Sequence, residues 1–182
     1  MALGNTNALV NLANYYFSLY KKNLLEDNEK EKMLQFLFTA ADDFSEPKAC
    51  SLLGDYYFIN NNLSFAGNYY KKSISHTDRN EYSFYMLGRI ADLNLNKSVA
   101  IDYYNKAVSQ GYYDATYYSA IIWFNDSLIE NDKSDSSYLR LRAKNYVDKY
   151  LPLFSYEIQL KSLDLIKVLK NSDLRFIIAT FL

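Results

Sequence analysis

The strongest constraint on this chain is that it repeats itself. Ala8–Phe17 returns as Ala49–Phe58, displaced by 41 residues, and the centre of that motif returns at Phe84–Ala91, displaced by a further 34. A looser copy lies at Thr116–Phe124, 32 residues on. A second motif alternates with the first: Phe65–Ser73 matches Val99–Ala107 at a shift of 34, with looser copies at Met33–Ala40 and Ala143–Tyr150. Inside both motifs the packing residues fall at i, i+3, i+4 and i+7, as in Leu53, Tyr56 and Tyr57 or Ala66, Tyr69, Tyr70, Ser73 and Ile74. That is the period of a helix and not of a strand. Two helical motifs alternating at this spacing imply antiparallel helix pairs that stack on one another, because one pair alone cannot bury its apolar faces. The expected fold class is all-α.

Local chemistry agrees with paired helices. Gly54, Gly88, Ala13, Ala120, Ala66, Ala100 and Ala107 stand where two helices must approach closely, and a larger side chain there would overpack the crossing. Breaks are expected at Ser45–Pro47, with Pro47 opening a helix, at Asn60–Asn62, at His76–Asn80 and at Gln110–Gly111. Asn23 to Lys30 reads as a longer loop in the first repeat, and the polar stretch Asn125 to Ser137 reads as a long inter-helix loop. Past Pro152, apolar residues at 158, 160, 163, 165, 166 and 169 mark one more amphipathic helix over Tyr156–Lys170. Ser172 or Asp173 then caps a last helix ending at Leu182, which either docks on the fourth repeat or serves a partner.

Composition removes several function classes. One Cys excludes an internal disulfide and a cysteine metal cage, and one His excludes a two-histidine metal site. Cys50 lies inside a packing motif and His76 in a turn, so the reading is a core thiol and a loop histidine. Asp42 and Asp43 are adjacent and do not share a helix face; they read as a C-terminal turn. No glycine-rich phosphate loop and no calcium or magnesium spacing appears. The expectation is a non-enzyme without cofactor or metal. Twenty basic against 21 acidic residues leave a net charge of -1, which gives no pull toward nucleic acid. Arg140, Arg142, Lys144 and Lys149 are read as the solvated face of an amphipathic helix. No apolar run is long enough for membrane insertion. Met1 to Tyr20 lacks a basic lead and is broken by asparagines, so no secretory signal is expected. The expected location is cytoplasmic, or a host cytosol if the source is an intracellular pathogen or virus. The surplus of Asn, Lys, Tyr, Ile and Phe also fits an AT-rich genome.

With these residues in view, the chain resembles the tetratricopeptide superfamily and particularly its Sel-like branch. Ala100-Ile-Asp-Tyr103-Tyr104-Asn-Lys106-Ala107, followed by Gly111 and Ala115, fits the second-helix pattern of that branch, and Leu53-Gly54 and Leu87-Gly88 supply the first-helix pair. The glycine-to-alanine spacing from Gly54 to Ala66 and from Gly88 to Ala100 is 12 in both cases. The match covers roughly residues 6 to 150. It departs from the Sel-like pattern in the short loops before the second helices and in Ala13 and Ala120, which stand for glycine. The resemblance implies a right-handed α-α superhelix, a solenoid of about four helical hairpins over 6–44, 47–75, 80–110 and 114–150, followed by C-terminal capping helices over 151–182.

The same resemblance implies a concave groove lined by first helices. Its positions are Asn7, Val10 and Asn14; Lys48, Ser51 and Asp55; Tyr82, Tyr85 and Arg89; and Asp114, Tyr117, Ile121 and Phe124. Aromatic residues beside an arginine are types that dominate protein interfaces, so Tyr82, Tyr85, Arg89 and Tyr117 form the expected anchor. The alternative is a solvated face with scattered aromatics. Tyr57, Tyr69, Tyr70, Tyr103, Tyr104 and Tyr146 take repeat positions that pack between helices. Only Asn14, Lys48 and Arg89 fit a basic clamp for a C-terminal carboxylate, so that clamp is not supported. The expected function is an adaptor that binds a protein or peptide segment in the groove. The rivals are an assembly protein that forms a homo-oligomer through its apolar C-terminal helix or repeat ends, and recognition of a small ligand or nucleic acid by the aromatic groove.

Overall fold

The computed structural model describes residues 3–77, 79–130 and 132–170. Every regular element among them is helical. The order is α1 (Leu3–Tyr20), α2 (Asp27–Phe38), α3 (Pro47–Ile59), α4 (Leu63–Ser75), α5 (Glu81–Leu93), α6 (Lys97–Ser109), α7 (Ala115–Ile129), α8 (Lys133–Tyr150) and α9 (Tyr156–Lys170). A π-turn, Thr39–Asp43, closes α2 and carries the Asp42-Asp43 pair; a 3-10 turn, Leu151–Leu153, follows α8. The chain forms two compact units, residues 1–90 and 91–182.

In the first unit α1 packs on α2, α3 on α4, and α2 on α3. Val10, Ala13, Phe17, Met33, Leu37, Ala49, Cys50 and Leu53 form one buried cluster there. In the second unit α6 packs on α7, α7 on α8, and α9 on both α7 and α8. The small residues named above are all buried, and Ala13, Ala66, Ala100, Ala107 and Ala120 are completely so. At one of them, Gly54, the short residue lets the Tyr70 ring of the neighbouring helix approach closely. The period also survives as geometry. Both α3 and α5 have 13 residues and start 34 apart, and the same holds for α4 and α6.

The helix ends show why these boundaries fall where they do. After α3, the N–H of Asn62 reaches back to the Tyr57 carbonyl at 2.8 Å, with Asn61 in left-handed backbone (φ 57°). After α5, Asn96 N–H reaches the Ala91 carbonyl at 2.8 Å with Leu95 at φ 59°, and after α6 Tyr112 N–H reaches Ala107 at 2.9 Å with Gly111 at φ 103°. Asparagine and glycine accept this conformation readily, whereas a Leu Cβ crowds the neighbouring carbonyl. Leu95 is also 83 % exposed, so packing does not offset the strain. Leu95→Gly is expected to raise the stability of the second unit by about 1 kcal/mol. Urea unfolding followed by fluorescence of Trp123, which lies in that unit, provides the check.

Two expected loops are corrected. Asn125 to Ser137 is largely helix, with α7 running to Ile129 and α8 starting at Lys133. Its polar residues serve helix ends: the Asp132 carboxylate accepts from the N–H groups of Ser134 and Asp135, the N-cap bond that opens α8. Asp126 pairs with Lys97. In the first repeat α2 starts at Asp27 and not after Lys30, because Glu26 and Glu29 form a reciprocal capping box. The helix expected over Tyr156–Lys170 is α9. The last expected helix, to Leu182, lies outside the described residues. No helix among the described residues is long and apolar enough to cross a membrane.

Candidate functional site

On α3, Lys48, Ser51 and Asp55 follow one another at helical spacing and share a face. The start of α5 brings Tyr82 beside them. Together with Glu46, Arg79, Asn80 and Glu81 these residues line an open cleft of about 500 Å³ in the first unit. A smaller hollow of about 120 Å³ shares Asp55 and Tyr82 as walls and is completed by Phe17, Lys21, Phe58 and Met86.

Asp55 is the centre of this site. Its Oδ1 accepts two phenol hydrogen bonds, from Tyr70 at 2.6 Å and from Tyr82 at 2.8 Å. Burial raises its pKa above the usual carboxylate value, opposed by the two phenols and by the charge of Lys21. Removal from water therefore outweighs the stabilisation that its donors supply. The Tyr70 ring is fully buried and its phenol is pushed upward by burial and by the neighbouring Asp55 charge. Gly54 lets that ring sit where it does, since a Cβ at this position would lie 2.5 Å from Tyr70 Cε1.

A polar seam supports the cleft from below. The Ser51 hydroxyl lies 2.9 Å from both the Ser73 and Ser83 hydroxyls, and the Pro47 carbonyl accepts from Ser73 at 2.7 Å. Asn80 donates to Ser73 and accepts from the Ser83 N–H at 3.0 Å, which caps α5. Ser73 and Ser83 are fully buried, so these bonds tie α3, α4 and the start of α5 into a fixed frame.

The structure brings together only part of the expected groove. Lys48, Ser51, Asp55 and Tyr82 share one cleft. Asn14 and Asn7 are exposed on α1 and line neither cleft. Val10 is a core residue, 2 % exposed. Tyr85 is buried, and Arg89 closes over it: the guanidinium sits 5.9 Å from the ring centre and donates to the phenol oxygen at 2.8 Å. This pair is not an open anchor. Tyr117 and Phe124 belong to the second unit and are buried in one cluster with Trp123 and with Ile158, Leu165 and Val168 of α9. Capping by α9 turns the exposed face expected of α7 into core. Ile121 is partly buried against the same cluster, and the Asp114 carboxylate accepts from the Ser155 N–H at 2.7 Å.

Other expectations have simple outcomes. Tyr70 and Tyr104 are fully buried, while Tyr57, Tyr69, Tyr103 and Tyr146 are half-buried. The Cys50 thiol is buried and pushed up to about 11 by that burial, and His76 is exposed in its turn. The basic face of α8 is not simply solvated, because the Arg142 guanidinium stacks 4.2 Å from the centre of the Trp123 ring. Sequence reasoning missed Tyr70, Lys21, Arg79 and Asn80 as parts of the site. Only Asn80 had a signal, as an asparagine just before a helical run. Among the described residues no group of three or more His, Cys, Asp and Glu could hold a metal ion.

Compared with known proteins, the chain matches no family model, and no curated protein sequence matches it.

Proposed function

We propose that this chain is a non-enzymatic adaptor of the tetratricopeptide type, a right-handed solenoid of helical hairpins that holds a peptide or protein segment against α3 and the start of α5. The observation that carries this reading is the cleft whose walls include Lys48, Ser51, Asp55 and Tyr82, all from positions that the tetratricopeptide resemblance assigns to a groove. A frame fixed by the serine and asparagine bonds makes that wall preorganised, which lowers the ordering cost of association. Half-buried Tyr82 offers an aromatic contact of the kind that anchors interfaces. The test is affinity capture from source lysate with wild type and with Lys48→Ala/Tyr82→Ala. The expected result is a partner lost from the variant while its helical circular dichroism is unchanged. A partner held equally by both proteins would place the interface elsewhere.

A second reading is homo-oligomerisation through the C-terminal region. Tyr156, Leu160 and Leu163 stand at i, i+4 and i+7 on α9 and are 77 %, 49 % and 48 % exposed. Leu160→Glu/Leu163→Glu would then convert an oligomer to monomer in light scattering. A wild type that stays monomeric at all concentrations would dismiss this reading.

A further inference from the structure

We infer that the Asp55 cleft reads a basic side chain, lysine or arginine, of the segment it binds; this rests on the adaptor reading above and adds the chemistry of the partner. Both phenol bonds to Asp55 fall on the same oxygen, Oδ1. Among the described residues no hydrogen bond reaches Oδ2 and no cation stands within ion-pair distance of the carboxylate. One oxygen is thus fixed by the protein and the other is left for a donor from outside.

The surroundings select the charge of that donor. Asp55 is among the residues that line both hollows. Among the described residues, three carboxylates, Glu46, Asp55 and Glu81, line the larger cleft against two cations, Lys48 and Arg79, both on exposed residues. An anionic ligand would meet an unpaired carboxylate in a partly dry site, which is unfavourable. A neutral donor would satisfy Oδ2 but add nothing to the partial compensation that the Lys21 charge supplies. An ammonium or guanidinium satisfies Oδ2 and adds to that compensation, with a charge-assisted bond of the stronger class. Tyr82, which also lines the larger cleft, adds an aromatic side chain beside the carboxylate, its ring packed against those of Tyr70 and Tyr85.

Fluorescence polarisation with pools of labelled hexapeptides, acetylated and amidated so that the termini are uncharged, tests this directly. The fixed central residue is Lys, Arg, norleucine or Glu, and the other positions are mixed. Wild type is compared with Asp55→Asn, which keeps an acceptor for the two phenols and replaces the charged, accepting Oδ2 by an amide donor. Wild type should bind the Lys and Arg pools about tenfold more tightly than the norleucine pool. In Asp55→Asn that preference should fall to less than about twofold while norleucine affinity stays constant. Binding of all pools without a basic preference, or a preference that survives in Asp55→Asn, would overturn the inference and leave the adaptor reading standing. No binding of any pool by either protein would overturn both. Tyr82→Phe, which removes one donor to Oδ1, should keep the preference for basic pools, and its loss there would assign the selectivity to the phenol instead.

Discussion

Gly54→Ala is expected to destabilise the first unit by about 2 kcal/mol, while Gly67→Ala, one helix away, is expected to stabilise it by about 0.5–1 kcal/mol. Both glycines are buried inside helices, so both substitutions gain the same helix propensity. They differ in what the new methyl meets. At Gly54 it would lie 2.5–2.8 Å from three atoms of the Tyr70 ring. That ring is fully buried and its phenol is held by Asp55, so it has nowhere to move. At Gly67 the nearest atom is Ile90 Cδ1 at 3.9 Å, an ordinary contact. Urea unfolding followed by Cys50 thiol labelling reports on this unit, because Cys50 is buried in its core. Equal effects of the two substitutions would contradict the close packing of α3 against Tyr70.

At Asp55 the larger expected effect separates charge from hydrogen bonding. Asp55→Leu removes the acceptor of two phenols, one of them on fully buried Tyr70, and should cost about 2–3 kcal/mol. Asp55→Asn keeps an acceptor oxygen in place and should be neutral or stabilising at pH 7. The sign follows from linkage. The folded-state pKa of Asp55 lies above its unfolded value, so the native state binds the proton more tightly. Its contribution to stability is fully present below the unfolded pKa, near 3.8, and is lost as pH rises through the folded pKa. Asp55→Asn should therefore match wild type near pH 3.5 and gain on it as the pH rises to neutrality. A wild type that gains on Asp55→Asn over that range would contradict the balance of burial and donors at this site.

Much of the helical frame was legible because it is local. The alternating motifs marked the helix pairs, and Pro47, Asn61 and Gly111 marked helix ends through backbone preferences that need no tertiary knowledge. The stretch around Asp132 misled because an N-cap aspartate and a loop aspartate look alike until a backbone N–H is seen to bond to it. The site was legible where it depends on spacing along one helix: Lys48, Ser51 and Asp55 share a face whatever surrounds them. It was illegible where burial depends on a distant element. Nothing near Tyr117 or Phe124 encodes that α9 will cover them. Tyr70 stayed hidden for another reason, since one side chain fills the core with its ring and holds Asp55 with its hydroxyl.

Amide hydrogen exchange, on the chain alone and bound to its captured partner, tests the central claim most directly. Slower exchange on binding is expected in Glu46–Asp55 and Arg79–Tyr82, with α9 unchanged. Protection confined to Tyr156–Leu163, with the cleft segments unaffected, would contradict it.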